Sequence, residues 1–314
     1  MKSAARNIVI GSGITGVSCA RALMQIGETV IVLDKGRGIG GRMATRRVAL
    51  ETGDISFDHG AQVLPARNNA FATLMRDAGA AAWDQGGGLV GMPGMSQIPR
   101  RLAEGLDLRQ GIEITALAYH DGQWMLSSPG GAFRAQRLIL TIPAPQALQL
   151  LGPMHPLATA LRAVEMRPCL TLMAAFPPDS QRPFSQRSDP DHPLAWIAQD
   201  SSKPGRSTAA VTWIAQAGPE FSAQNLENSP EDIAAQMLPL LCDAIGANPQ
   251  TALHLRAHRW RYAQTLRPLG AAYLSDGATN LFLGGDWCLG ARAEHAWQSG
   301  AAIAAAIAGS TDAR

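Results

Sequence analysis

Near its start the chain carries a short apolar run, 7–10, stopped by Gly11. From Ile14 to Gln25 the apolar positions Val17, Ala20 and Met24 recur at helical spacing, and Gly27 stands just past the end. Segment 29–33 (TVIVL) is β-branched and apolar on both faces, the pattern of a strand buried in a parallel sheet. Together these segments predict one βαβ unit closing on Asp34. The stretch 35–47 (KGRGIGGRMATRR) is too irregular for a helix and too basic for a core, so it is expected to be a functional loop or a flexible linker.

Helical spacing predicts further helices over 69–78, 97–106, 230–245 and 293–308. Strands are expected at 112–117, 124–127, 133–141, 170–176, 209–214 and 281–283, with short ones around Gly86, Gly87 and Gly88. Prolines cluster between Pro168 and Pro204, where polar stretches separate apolar runs, which suggests a mixed or antiparallel sheet with long loops. The expected fold class is α/β with an α+β second domain. The doubly wound first domain is assigned 1–75, 92–150 and 276–314, because the C-terminal strand, turn and helix can dock back on it. The smaller domain is assigned 76–91 and 151–275. No internal repeat of fixed period is present.

Composition narrows the function classes. A chain of 314 residues with 46% hydrophobic residues can fill two domain cores. A formal net charge of +2 supplies no field that would steer it to nucleic acid or an anionic bilayer, so neither partner is expected. Run 301–308 is far short of the ~20 residues that a membrane helix needs. The apolar run before Gly11 is too brief for a signal-peptide core. Four dispersed cysteines, Cys19, Cys169, Cys242 and Cys288, form no C-x-x-C pair, so no metal site is expected and a reducing cytoplasm fits.

The chemistry begins at Gly11, Gly13 and Gly16, a G-x-G-x-x-G between strand and helix with Asp34 at the end of the next strand. Gly11 permits the tight turn, Gly13 lets backbone approach a pyrophosphate, and Gly16 lets helix and strand pack closely. The helix N-terminus offers amide donors, and Asp34 can accept from ribose hydroxyls. Only one such fingerprint occurs, so any pyridine nucleotide must reach the site as substrate. Arg37, Gly40, Gly41 and Arg42 then continue the site with glycine and positive charge.

At this point the sequence resembles the FAD-binding oxidoreductases of the amine oxidase type, whose βαβ unit is followed by Gly-Gly-Arg. The C-terminal NLFLGGDW and GARAEHAWQSGAAIAAAI resemble the second half of the same fingerprint. With FDHGAQ at 57–62, GMSQIPRRLAEGL at 94–106 and HRWRYA at 258–263, the chain is similar to the bacterial renalases. That resemblance implies an amine-oxidase or p-hydroxybenzoate-hydroxylase-like fold and a non-covalent FAD. It assigns to the cofactor Gly11, Gly13, Ile14, Thr15 and Gly16, then Asp34, Lys35 and Arg37, then Gly40, Gly41, Arg42 and Met43. It adds His59, Gly60, Ala61, Gln62 and Ile114, and from the C-terminal end Gly285, Asp286, His295 and Ala296.

Renalases oxidise misreduced isomers of NADH and NADPH, so the implied substrate is a 2- or 6-dihydronicotinamide nucleotide, with O2 as acceptor, NAD(P)+ and H2O2 as products. A dihydropyridine becomes aromatic by losing hydride alone, so no general base is required. The alternatives are a flavin amine oxidase or alkene dehydrogenase, and a non-catalytic flavin-binding sensor or scaffold. Only Lys2, Lys35 and Lys203 are lysines, and Lys203 lies in a Pro/Gly/Ser-rich stretch, which disfavours the lysine-assisted chemistry of many amine oxidases. The substrate-pocket candidates are His59, Gln62, His258, Trp260 and Trp287. His59 is equally readable as a structural partner beside Asp58. Arg259 or Arg261 could grip a phosphate, although an ion pair within the fold is the commoner fate of such residues.

Overall fold

The computed structural model describes residues 3–83 and 88–311. Its larger sheet has the strand order Leu274–Asp276, Leu281–Leu283, Gly131–Leu140, Ser3–Ile10, Val30–Asp34, Asp107–Gln110. The last five of these run parallel, and Gln123–Ser128 and Ala116–His120 extend the sheet antiparallel from Gly131–Leu140. The first strand is buried from Asn7 to Ile10, with Val9 against the helix Ile14–Gln25 on one face and Ile8 in the opposite core. The C-terminal helix Ala293–Thr311 adds Ile303 and Ile307 to the Val9 side, so the end of the chain covers the same sheet face as its beginning.

A second sheet is antiparallel throughout, in the order Gln186–Ser188, Trp196–Gln199, Val211–Gln216, Glu165–Phe176, His254–Arg267. Alternation along Glu165–Phe176 gives it two different faces. Leu170, Leu172, Ala174 and Phe176 pack with Ala257 on the helix Pro230–Ile245. Cys169, Thr171, Met173 and Ala175 face the other way, beside Trp260, His258, Arg256 and His254 in register. The same face continues through Gln216, opposite Thr171, to Trp196, opposite Gln216.

The stretch expected as a loop is one only in part. Gly41–Met43 forms a single 3-10 turn, and Thr45–Leu50 is a strand paired with Gly53–Asp58. Its arginines conceal a period-two pattern in which Val48 and Leu50, with Ile55 and Phe57, pack on Met173, Ala175 and Ile214. The strand expected at 112–117 begins only at Ala116, and Ile112 and Ile114 fill the core from an extended link. The helix expected to Leu106 ends at Leu102, before Gly105 with φ +83°. Strands Ala80–Trp83 and Gly88–Gly91 pair with each other and join neither sheet; Gly86 and Gly87 lie outside the described residues. No helix among the described residues is long and apolar enough to cross a membrane.

Candidate functional site

A cleft of about 430 Å³ opens where three parallel strands end. Its walls include Gly13, Ile14 and Thr15 after Ser3–Ile10, Thr141 and Ile142 after Gly131–Leu140, and Gly285, Asp286 and Trp287 after Leu281–Leu283. The carboxyl ends of strands are where open α/β sheets bind ligands. A larger groove of about 640 Å³ lies beside Thr29, Asp107 and Gln136, away from these strand ends.

Each glycine of the first turn has a distinct steric duty. Gly11 sits at φ +110° with its amide on the Leu33 carbonyl at 2.9 Å. A Cβ on Gly16 would run into the carbonyl oxygen of Gly11, and one on Gly300 into that of Thr15, so both helices depend on bare backbone for their close approach. At Gly13 a Cβ would meet nothing within 4 Å. That empty space lies in the cleft, and no side chain caps the helix that starts at Ile14. Its first amides therefore keep their donor capacity for a ligand. Asp34 organises this turn: it accepts from the amide and hydroxyl of Ser12 at 2.6 and 2.8 Å and from the Gly36 amide at 2.6 Å. A carboxylate offers about four acceptor sites, which leaves one for a ribose hydroxyl.

The two ends of the sequence meet across the cleft. Arg42 grips Asp286 through two parallel bonds of 2.5 and 2.9 Å, and also donates to the Ala263 carbonyl at 2.9 Å. Gly40 and Gly41, at φ +112° and +53°, place that arginine, and the Gly40 amide bonds the Ser12 carbonyl at 3.0 Å. Met43 is buried beside Ile14. From the helix Ala293–Thr311, Ala293 and Ala296 line the cleft. Glu294, buried in the same turn, holds the Arg67 and Asn68 amides at 2.9 and 3.3 Å. The side chain of His295 packs toward Gly290 with its Nδ1 unpartnered.

Among the described residues, the remaining predicted groups separate into those at the cleft and those behind it. Gly60, Ala61, Gln62 and Trp260 line the cleft, as does Trp287, which is fully buried and donates to the Ile142 carbonyl at 3.1 Å. His59 stacks on Trp260 at 5.3 Å between centroids, His258 meets both rings edge-on, and neither histidine is among the residues lining the cleft. Burial, then the facing imidazole and Arg46, push His59 down to about 4. His258 is also pushed down to about 4, by burial and then by Arg46 and Arg256. Both are neutral at physiological pH. The Asp58 carboxylate is engaged by Thr45, Met95, Lys203 and Arg206, as described below. Lys35 is exposed and faces Glu113 at 3.8 Å, and Arg37 is exposed in the same loop. Ile114 packs in the core beside Leu33 and Leu140. Arg259 and Arg261 both pair with Glu227 on the exterior.

Two groups escaped the sequence reading. Trp196, in the proline-rich region, lines the cleft on the same sheet face as Gln216 and Cys169, with its indole nitrogen buried and unpartnered. The sequence pattern of 196–199, three apolar residues and then Gln199, shows no alternation that would have pointed to it. Lys203, despite its Pro/Gly/Ser-rich surroundings in the sequence, is only 2% exposed. Its ammonium lies 2.6 Å from Asp200, 3.3 Å from Asp58 and 3.3 Å from the Gln62 amide oxygen. Arg206 closes the group, bonding Asp58 and reaching Asp200 at 3.5 Å. Asp58 also accepts from the Met95 amide at 2.9 Å and the Thr45 hydroxyl at 2.7 Å. Burial pushes the Asp58 carboxyl up, but Lys203, Arg206 and these bonds outweigh it and hold it below the usual carboxylate range. Asp200 is raised, by burial first and then by the neighbouring Asp58 charge, against the pull of Lys203. Two cations and two carboxylates thus lie sealed behind Gln62.

An uncapped helix opening, a glycine-lined space and an acid at the second strand end define a dinucleotide-binding protein of the Rossmann type, with a second sheet closing the cleft. Residues 9–78 match the NAD(P)-binding Rossmann-like domain. Residues 83–308 match the flavin-containing amine oxidoreductases, and the chain belongs to that family. Its cofactor is accordingly FAD, held without a covalent bond, and the cleft has the bare backbone that such a group requires. Solved structures agree in fold. Cyclohexylamine oxidase from Brevibacterium oxydans IH-35A is similar at 16% identity and TM-score 0.75, over 98% of this chain and 99% of that one. A protein designated a protoporphyrinogen oxidase from Exiguobacterium sp. 255-15 is similar at 13% identity and TM-score 0.74, again over 98% and 99%. Wild-type putrescine oxidase bound to putrescine is similar at 11% identity and TM-score 0.71, over 98% and 100%.

Proposed function

We propose that this enzyme is an oxidase of the renalase type, which takes hydride from 2- or 6-dihydro isomers of NAD(P) and passes the electrons to O2. FAD, when bound, supplies the hydride acceptor. In this reading the Gly11–Gly16 turn and the amides of Ile14 and Thr15 hold its pyrophosphate, Asp34 its ribose, and the amides around Ala296 the edge of its ring that gathers negative charge. Lys35, Arg37, Ile114 and His295 are assigned supporting places around it. The cleft then lies between a cofactor domain of 1–75, 92–150 and 276–314 and a substrate domain of 76–91 and 151–275.

The observation that carries the proposal is the chemistry of the substrate face. Trp196, Gln216, Cys169 and Trp260 present aromatic, amide and thiol groups there, and burial pushes the Cys169 thiol up to about 11. Lys203, buried, is locked between two carboxylates behind Gln62. No side chain on that face therefore changes protonation near neutral pH. A donor that becomes aromatic by losing hydride needs no such group, only positioning at ~3–3.5 Å and a flat wall to lie against. Gln62 supplies orientation: Lys203 donates to its oxygen, which fixes the amide and polarises it.

A second reading has its own support. Trp196 and Trp260 could flank a small amine, the substrate class in the names of the cyclohexylamine and putrescine oxidases. Anaerobic mixing separates the two. Bleaching of the oxidised flavin band by 2- or 6-dihydro-NAD is expected, and its absence alongside steady oxygen uptake with a primary amine would replace the proposal with the second reading.

A further inference from the structure

Arg46 and Arg256 have no carboxylate and no hydrogen-bond acceptor among the described residues, and the Arg46 Nε is buried with nothing to bond. A buried donor left open calls for a missing partner. Their placement is set by the sheets. Arg46 stands opposite Phe57 in the hairpin, on the face where Phe57 stacks on His254 at 5.5 Å. On the strand His254–Arg267, the residues His254, Arg256, His258 and Trp260 form a row on one face, in register with Ala175, Met173, Thr171 and Cys169. Successive members of such a row stand about 6.7 Å apart. The row thus starts at Trp260 in the cleft wall and runs outward to exposed Arg256 and half-buried His254, whose Nε2 is also unpartnered.

We propose that Arg46 and Arg256, with His254 and His258, form an anion site that receives the phosphate of the nucleotide substrate while its ring lies in the cleft beside Trp260. This rests on the dihydronicotinamide reading and deepens it. The residues at first expected to take a phosphate, Arg259 and Arg261, are already satisfied by Glu227 on the opposite face of that strand. Charge chemistry supports the site. Burial and the guanidiniums of Arg256 and Arg37 pull Arg46 below its usual range, which is the signature of cations gathered without a counter-charge. The anionic phosphate group of a nucleotide supplies that counter-charge and takes bidentate bonds from a guanidinium fork. The imidazoles of His254 and His258, neutral in this surrounding, add ring N–H donors without adding repulsion.

The test uses the FAD-loaded enzyme and two measurements. In anaerobic flavin bleaching, the 2-dihydro forms of nicotinamide mononucleotide and of the phosphate-free riboside are compared. The wild type is expected to hold the mononucleotide at least about tenfold more tightly, and Arg46→Gln or Arg256→Gln to erase most of that difference while leaving the riboside unchanged. In calorimetry, inorganic pyrophosphate is expected to bind the wild type and to bind either variant about tenfold more weakly, with Arg46→Lys retaining part of the affinity. Equal affinity for the mononucleotide and the riboside, or no pyrophosphate binding, overturns the anion site even if bleaching upholds the substrate reading. Pyrophosphate binding that is lost in the variants, with no bleaching by any dihydro isomer, upholds the anion site and removes the substrate reading. If Arg46→Gln sheds FAD while pyrophosphate binding is unchanged, the arginine serves the cofactor and the proposal fails.

Discussion

Replacing Lys203 by methionine tests the sealed ion group with almost no change of shape. The side chain is fully buried, as are Asp58 and Asp200, so no water can take over its bonds. The substitution leaves two carboxylates facing the single guanidinium of Arg206. Breaking a buried ion pair by removing one partner costs about 3–5 kcal/mol, against a total of about 5–15 for a typical domain. The dependence on pH is the sharper signature. Asp58 is held below the usual range, so its share of wild-type stability is present above the unfolded pKa and falls away as acid protonates it. Asp200 is already raised, and losing its cation raises it further. A carboxyl that binds its proton more tightly when folded gains stability as the pH falls. The deficit of Lys203→Met should therefore be largest near pH 8 and shrink towards pH 5.5. Denaturant titrations of both proteins across that range measure it, and Asp200→Asn in the same background should recover part of the loss. A deficit below about 1 kcal/mol, or one that does not change with pH, would refute the account of the ion group.

Gly13→Ala should leave apoprotein stability within about 0.5 kcal/mol, since its φ of −69° suits alanine and the added methyl meets nothing. FAD affinity measured by flavin fluorescence should nevertheless drop tenfold or more. Gly16→Ala, which forces a methyl into the Gly11 carbonyl, should lower the unfolding free energy itself by about 1–3 kcal/mol. Arg42→Met strands Asp286, which is 5% exposed, and should both loosen FAD and lower Tm; unchanged FAD retention would show the pair to be dispensable. Trp196→Ala removes one wall of the cleft and should raise KM for the hydride donor by tenfold or more with a smaller effect on kcat.

Legibility from sequence followed the range of the interactions. The βαβ unit from Asn7 to Asp34 could be read because each period ends at a glycine and the whole signal fits within 34 residues. The helix Pro230–Ile245 was equally plain, with Ser229 capping it through the Asp232 amide at 3.0 Å. Arginines obscured the hairpin Thr45–Asp58, because the partner face that makes Arg46 half-buried lies more than a hundred residues away in sequence. Lys203 was opaque for the same reason. Asp200 is a near neighbour, but Asp58 stands 145 positions off, and a Ser-Ser-Lys-Pro-Gly run has no period from which burial could be inferred. Trp196 shows the converse limit: a register, not a motif, turns it towards the cleft.

The convergence of two helix openings on one cleft carries an electrostatic consequence. Gly13, Ile14 and Thr15 line it at the start of one helix, and Ala293 and Ala296 at the start of the other. The bare backbone of Gly300 lets the second helix pack closely on the first at Thr15 and Cys19. Each opening presents about half a positive charge, and the Asp286 carboxylate nearby is already neutralised by Arg42. Without an anion, like partial charges face each other across the cleft. A bound FAD pyrophosphate removes that repulsion, so the cofactor should stabilise the fold beyond the contacts it makes with the sheet. Saturation at a hundred times Kd is worth about 2.7 kcal/mol by mass action alone. Riboflavin, which lacks the pyrophosphate, would raise Tm less than FAD at the same multiple of its own Kd only if it also bound the unfolded chain. At equal saturation the two must agree, and the difference lies in Kd. The decisive measurement is therefore the ratio of the two dissociation constants and its dependence on salt: the preference for FAD should shrink as ionic strength rises. A ratio near one at low salt would show that the helix openings do not hold the pyrophosphate.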